Sequence, residues 1–331
     1  MKPFDLRTLA TMLLLCVAAA AATGAACLLV GSTGFGWPHG DTFRFRAESV
    51  MDAALIGAAL AAAGVAYQAV LRNPLADPYL LGASSGAMLA AYIWRLPIFA
   101  VSVLGLAALS QQAFAFAGAI LAVLLALGLS SRRGRLEPIT LLLVGVIINA
   151  VNGSIFLLIN QLVRGLPDVG DPMAFLVGGI HPIAISQRLS ALALIALGCA
   201  ILFYFGGQLN VASLEDAEAH ALGARLNRLR WITLAAASLV TAAAVAISGP
   251  IGFVGLICPH LCRKIFGSDQ RRLLPTAAAA GAILLMLADA ASRYLAMENR
   301  LGAELPVGVL TGLVGGPFFL ALLFGARHRS E

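Results

Sequence analysis

The run Leu9–Val30 is 22 residues long and carries no charged side chain. As a helix rising about 1.5 Å per residue, it is long enough to cross a hydrocarbon core of roughly 30 Å. Inside such a core the backbone must satisfy its own hydrogen bonds, so a spanning segment of this kind is a helix. Similar runs recur along the whole chain and break where charges or Pro/Gly clusters fall. Candidate spans cover 9–30, 50–70, 79–94, 112–130, 139–160, 190–206, 231–248, 254–266, 273–293 and 306–324. Several are shorter than the ~20 residues a straight crossing needs. Composition agrees, with 60% hydrophobic and 11% charged residues and a mean hydropathy of +0.91; soluble domains run at about 45–50% and about 25%. The expected fold is an all-α polytopic membrane protein, one transmembrane domain over residues 1–331.

A basic stub, Lys2 and Arg7, leads into the first run as it would in a secretory signal. The run exceeds a typical signal core of about 7–15 residues. Neither Cys16, after Leu15, nor Cys27, with Gly24 three positions before it, sits in a lipoprotein box. A retained first helix is therefore expected. The five cysteines are scattered through apolar runs, and an odd number at membrane depth argues against a disulfide framework.

The net charge of +6 fits loops enriched in Lys and Arg better than nucleic-acid binding. With ten spans and both termini inside, inner loops hold fifteen of the 22 basic residues and outer loops seven. The stretch 98–111 is an eleventh candidate, but a helix there would put Arg132, Arg133 and Arg135 outside. The charge bias selects ten spans, both termini cytoplasmic, and an interfacial 98–111.

Two places depart from plain helices. In RNPLADPYLLGASSGA, 72–87, Pro74 and Pro78 lack an N–H and push the preceding residue out of the helical region, so Arg72, Asn73, Pro74, Asp77 and Pro78 form a sharp structural turn. Gly82 and Gly86 in the following GASSG put small residues on one face, where another backbone can approach. In SGPIGFVG, 248–255, Gly249, Pro250, Gly252 and Gly255 interrupt the apolar run. Irregular backbone at membrane depth is tolerated against protein or a watery cavity. Both breaks point to a pathway through a bundle.

Few residues carry chemistry. Ser84, Ser85, Asn149, Asn152, Ser154 and Asn160 lie inside spans, where they either bond across helices or line a weakly polar path. Cys258 and Cys262 share a helical face, but His260 points about 160° away and no fourth ligand is evident, so no metal site is expected. GASSG lacks the G-x-S-G spacing of an intramembrane serine protease loop. Lys2 and Lys264 are the only lysines and neither follows a glycine, so there is no phosphate-binding Walker A loop. Between the sixth and seventh spans, Glu215, Asp216, Glu218 and His220 alternate with Leu214 and Leu222 before Gly223. This reads either as a solvated acidic loop or as a short amphipathic helix that fits a partner's groove.

RNPLADPYLLGASSGA resembles the signature of the FecCD family, the permease subunits of ABC importers for ferric siderophores, haem and cobalamin. LLLVGVIINAV at 141–151, NVASLEDAEAHALGA at 210–224, SGPIGFVGLICPHLCRKIFGSDQRRLLP at 248–275 and ELPVGVLTGLVGGPFFLALL at 304–323 resemble further blocks of that family, in its order. The resemblance implies the type II importer fold with ten helices, in a bacterial inner membrane. It implies a homodimer around a translocation pathway, two cytoplasmic ATPase subunits that bind ATP and Mg, and a periplasmic or lipid-anchored binding protein; this chain would bind no cofactor and no nucleic acid. It also makes 210–228 the coupling segment, with Leu214, Asp216, His220, Leu222 and Gly223 against the ATPase. By the same resemblance Arg46 and Arg293 receive carboxylates of the binding protein, and the fifth helix lines the pathway with Ser84 and Ser85 nearby. The chain departs from the pattern at Glu215, where relatives usually carry Gly, and at RAES, 46–49, which lacks a second Arg and a Pro. For Arg293 the residues themselves leave an alternative, because Asp289 lies four positions earlier on the same helix face.

Two other functions compete with a permease. An ion-coupled carrier needs intramembrane acids or histidines, and only Asp52 and Asp289 come near membrane depth, each toward a span's end. A membrane-embedded enzyme needs paired carboxylates, a nucleophile with its base or a metal cluster, and none is evident.

Overall fold

The computed structural model describes residues 6–31, 34–96, 111–132, 135–163, 176–214, 218–219, 225–298 and 305–327. The described helices are α1 Leu6–Leu28, α2 Asp41–Leu71, α3 Ala83–Trp94, α4 Gln111–Ser130, α5 Pro138–Leu162, α6 Ile185–Tyr204, α7 Gly206–Ala212, α8 Leu226–Ser248, α9 Val254–Phe266, α10 Gln270–Glu298 and α11 Val307–Arg327. Two-residue antiparallel hairpins, Val30–Gly31 with Gly34–Phe35 and Ser131–Arg132 with Arg135–Leu136, close the α1–α2 and α4–α5 turns.

Among the described residues, α1, α2, α4, α5, α6, α8 and α10 are long and apolar enough to cross a membrane. The other three expected spans fall on α3, α9 and α11, of 12, 13 and 21 residues. At 1.5 Å per residue α9 covers roughly 20 Å, short of a full crossing. Residues 98–110, most of the expected interfacial stretch, lie outside the described residues.

The helices overrun their apolar runs. α2 begins at Asp41 rather than residue 50, α6 at Ile185 rather than 190, and α10 continues to Glu298 rather than 293. Hydropathy marks the part of a helix that hydrocarbon surrounds, whereas backbone hydrogen bonding continues into the polar interface.

α2 is the axis of the bundle. Of its most apolar 18-residue window 83% is buried, against 6% for α1. It packs on α10, α8 and α9. Its middle, ALIGAALAAAGVAYQAV, is built from small side chains that let neighbouring backbones approach. A Cβ placed on Gly57 would stand 2.2 Å from the Gly281 carbonyl oxygen of α10, and one on Gly281 would stand 2.2 Å from that of Gly57. A Cβ on Gly64 would stand 2.0 Å from the Gly255 carbonyl oxygen of α9. Of the Gly82 and Gly86 face expected for close backbone packing, Gly86 is used in the same way, since a Cβ there would lie 2.4 Å from the Gly118 carbonyl oxygen of α4, whereas Gly82 meets the Ile148 side chain of α5.

Because backbone rather than flexible side chain opposes these glycines, overpacking there should cost about 1–3 kcal/mol. Gly57→Val is expected to lower the thermal unfolding midpoint of the detergent-solubilised protein. Gly128→Val in α4, where nothing lies within 4 Å, should leave it near wild type.

Candidate docking face and translocation path

At one end of the bundle, the start of α2, the start of α6 and the end of α10 bring together Arg46, Glu48, Ser49, Asp52, Arg188, Asp289 and Arg293. Arg188 forks onto Asp52, Nε to Oδ1 at 2.7 Å and Nη2 to Oδ2 at 3.0 Å, and its Nη2 also reaches Glu48 Oε2 at 3.2 Å. Both members of the central pair are buried. Asp289 accepts from Ser49 Oγ at 3.0 Å, which joins α10 to α2, and pairs with Arg293 Nη2 at 2.8 Å, the helix-face pair allowed by the four-residue spacing. Sequence reasoning missed Arg188. The signal was Asp52, an acid at the edge of an apolar run that needs a cation.

Arg46 and Arg293 come together here, but both are sunk to 7% exposure. Arg46 Nη1 donates to the carbonyls of Leu28 at 3.0 Å and Gly36 at 3.2 Å, and Nη2 to that of Gly34. Arg293 Nη1 donates to the Val30 carbonyl at 3.0 Å. The C-terminal carbonyls of a helix have no partner within it, and these two guanidiniums supply partners to the end of α1 and its hairpin. Between them opens a cavity of about 290 Å³, lined also by Thr42, Glu48, Asp52, His181 and Asp289.

The expected turn lies at the opposite end. Arg72 takes a left-handed conformation (φ 49°) that ends α2, and its Nε donates to the Ala212 carbonyl of α7. Asn73 Oδ1 accepts from the Leu75 amide at 2.9 Å. Asp77 Oδ1 accepts from the Tyr79 amide at 2.9 Å and caps a 3₁₀ turn, Pro78–Leu81, with Pro78 at its first position. Gly82 (φ 85°) then starts α3. Burial pushes the Asp77 carboxyl up to about 6, against the pull of its backbone hydrogen bonds.

The polar residues of α5 divide by face. Asn149 Nδ2 donates to the Tyr79 carbonyl at 3.0 Å, and Asn152 Nδ2 to Ser85 Oγ at 3.0 Å, while Ser85 donates to the Gly82 carbonyl. These bonds tie α5 to the turn. Ser84 is buried beside them. Ser154 differs, since it is exposed, bonds only back to the Ala150 carbonyl in the same helix, and shares its face with exposed Leu143, Ile147, Val151 and Leu158. Asn160 accepts from Tyr92 at 2.9 Å.

The glycine-rich break is a junction of three segments. The Gly178 and Gly179 amides donate to the carbonyls of Pro250 at 2.8 Å and Ser248 at 2.9 Å, and the Gly308 amide donates to the Gly178 carbonyl at 2.9 Å. Phe253 (φ 68°) starts α9, and the Tyr79 hydroxyl accepts from the Ile251 amide. His260 packs edge-on against Phe318. Of the expected coupling residues Leu214 is half-buried and lines, with Arg72, Arg263, Arg271 and Arg272, a cavity of about 1000 Å³. Asp216, His220, Leu222 and Gly223 lie outside the described residues.

The profile of the FecCD transport family matches residues 38–325. The cobalamin import system permease protein BtuC of Halobacterium salinarum is 36% identical over 280 residues, 84% of this chain and 72% of that one. The hemin transport system permease protein HmuU of Yersinia pestis is 38% identical over 284 residues, 86% of this chain and 83% of that one. A solved structure described as an inward-facing conformation of a metal-chelate type ABC transporter superposes with a TM-score of 0.81 at 28% identity, covering 95% of this chain and 99% of that one.

Two measurements probe these sites. Arg188→Gln strands the buried Asp52 carboxylate, so it should cost about 3–5 kcal/mol, read by thermal unfolding, and Asp52→Asn in the same chain should restore most of it. Asp77→Asn keeps an acceptor for the Tyr79 amide without the charge. A carboxyl raised to about 6 stabilises fully below its unfolded value near 4 and loses that contribution as pH rises through 6. The Asn variant should therefore gain on wild type between pH 5 and pH 8, whereas Asp77→Ala loses the cap, about 1 kcal/mol, at both.

Proposed function

The chain belongs to the FecCD transport family, and we propose that it is the transmembrane permease subunit of a binding-protein-dependent ABC importer that moves a large metal chelate into the cytoplasm. A ferric siderophore or haem is the first expectation and cobalamin the next. The observation that carries this is the family match over residues 38–325 together with a fold that follows a metal-chelate type transporter over 95% of the chain. Two copies form the pathway with ten crossings each. Two ATPase subunits bind and hydrolyse ATP with Mg, and a periplasmic or lipid-anchored binding protein delivers the cargo. This chain catalyses no reaction.

Charge supports the orientation in a bacterial inner membrane. Arg72, Arg225, Arg228, Arg263, Arg271 and Arg272 line cavities at one end of the bundle, which the positive-inside bias makes the cytoplasmic end. The coupling segment around 210–228, with Leu214, Asp216, His220, Leu222 and Gly223, starts there. On the outer end, the cavity between Arg46 and Arg293 receives an acidic side chain of the binding protein, with the guanidiniums as its walls. Within the bundle the open face of α5 at Ser154 borders the pathway, and Ser84, Ser85, Asn149 and Asn152 hold the gate region to the 72–78 turn. The competing ion-coupled carrier is disfavoured by the arginines that hold both Asp52 and Asp289, since a coupling acid must be free to take up its ion.

In proteoliposomes containing this chain, its ATPase and its binding protein, chelate uptake should require ATP and the binding protein and continue in the presence of ionophores. Uptake abolished by ionophores and indifferent to ATP would overturn the proposal. Arg46→Gln should weaken binding-protein docking and flatten its salt dependence while assembly with the ATPase persists; unchanged docking removes that role from Arg46.

A further inference from the structure

A cavity of about 480 Å³ opens where α6 ends and α8 begins, lined by Tyr204, Phe205, Gln208, Val211, Arg225, Arg228, Leu229 and Ile232. That volume lies within the roughly 300–1,000 Å³ of small-ligand sites. Its composition is divided. Val211, Leu229 and Ile232 give an apolar floor, while Arg225, which precedes α8, and Arg228, in its first turn, are both exposed. Neither arginine has a carboxylate partner among the described residues.

The approach to the cavity is along hydrocarbon. Leu189, Leu192, Leu197 and Phe203 are exposed along α6, and Tyr204 ends that row at 80% exposure. An apolar row of this length faces lipid tails in a membrane-spanning helix, and an exposed tyrosine at its end marks the headgroup level. Two cations, a hydroxyl and an amide at that level, above an apolar floor, match one chemistry: a phosphate with an acyl chain beneath it. We propose that this cavity binds the headgroup of an anionic phospholipid, such as phosphatidylglycerol, with Arg225 and Arg228 on the phosphate, Tyr204 and Gln208 at its rim and an acyl chain along Leu229 and Ile232. A zwitterionic headgroup cancels the phosphate charge and gains less from the pair of guanidiniums. The placement in the cytoplasmic leaflet rests on the orientation proposed above, but the headgroup preference does not. Arg225 and Arg228 lie at the C-terminal end of the coupling segment, so a lipid held here steadies the foot of α8 where that segment ends.

Trp231, three residues after Arg228 on the same helix face and half-buried, is a reporter. With Trp37→Phe and Trp94→Phe removing the other two tryptophans, the full chain in nanodiscs is titrated with dibrominated phosphatidylglycerol or dibrominated phosphatidylcholine, and quenching gives their relative association. Each arginine at an anionic headgroup accounts for about a five-fold preference. The unaltered cavity should thus favour phosphatidylglycerol roughly 25-fold, and Arg225→Gln with Arg228→Gln should bring the ratio close to one. Arg225→Lys with Arg228→Lys should keep most of the preference. Equal quenching by the two lipids with both arginines present overturns the proposal without needing a cavity variant, and so does a preference that survives in the Gln variant. Inorganic phosphate that displaces phosphatidylglycerol at constant ionic strength reassigns the cavity to a free anion. Loss of ATPase assembly in the Gln variant, together with no lipid preference in the unaltered chain, reassigns it to a protein contact. Uptake abolished by ionophores and indifferent to ATP would sink the importer reading and leave the lipid ratio unchanged, so the two failures are separable.

Discussion

Backbone-to-backbone approach around α2 is the contact on which the remaining architecture depends. Between helices in lipid the hydrophobic effect gives little net attraction, and close packing of small residues takes its place. The reciprocal contact of Gly57 with Gly281 draws α10 against α2, and the approach of Gly64 to the Gly255 carbonyl draws in α9. Those approaches set the level at which side chains meet. At one end Ser49 reaches Asp289. Toward the other end Gln68 donates to the Gly255 carbonyl at 3.2 Å and accepts from Arg263 at 2.8 Å. Tyr67 meets Ser238 at 2.8 Å and fastens α8 to the same axis.

Features set by neighbours along the chain were legible in the residues. The apolar runs located the helices. The two prolines and the Asn and Asp of 72–78 specified the turn by local chemistry, and the glycine spacing of 82–86 announced the approach of α4. The Asp289–Arg293 pair also follows from spacing alone. Features that depend on distant partners were not legible. Arg188 and Asp52 are 136 positions apart, and nothing local to either names the other. Arg46 reads as a surface cation, yet its hydrogen-bond acceptors are carbonyls that come free only where α1 stops and the hairpin turns. The polar beginnings of α2 and α6 were lost for a third reason, since hydropathy detects hydrocarbon contact and not helical hydrogen bonding.

The charged groups gathered by the starts of α2 and α6 and the end of α10 form a closed set. Asp52 and Asp289 are each held by an arginine, and Arg46 and Arg293 are spread over the carbonyls that end α1. A pathway bordered by such a set presents no free intramembrane acid among the described residues. That suits a permease, whose driving energy under the reading above comes from ATP hydrolysed on a neighbouring subunit. Under the same reading the cargo passes a wall of leucine, isoleucine, valine and serine on α5, with no ionisable ligand set to retain it.

The junction of Gly178, Gly179, Ser248, Pro250 and Gly308 has a mechanical meaning. Segments drawn from three remote parts of the chain share one peptide-group knot, so the ends of α8, α9 and α11 are geared together. Sliding one of them alone would break amide–carbonyl hydrogen bonds held by the other two. The knot therefore couples the three helix ends, so a displacement of one is resisted by the segments that share its peptide groups.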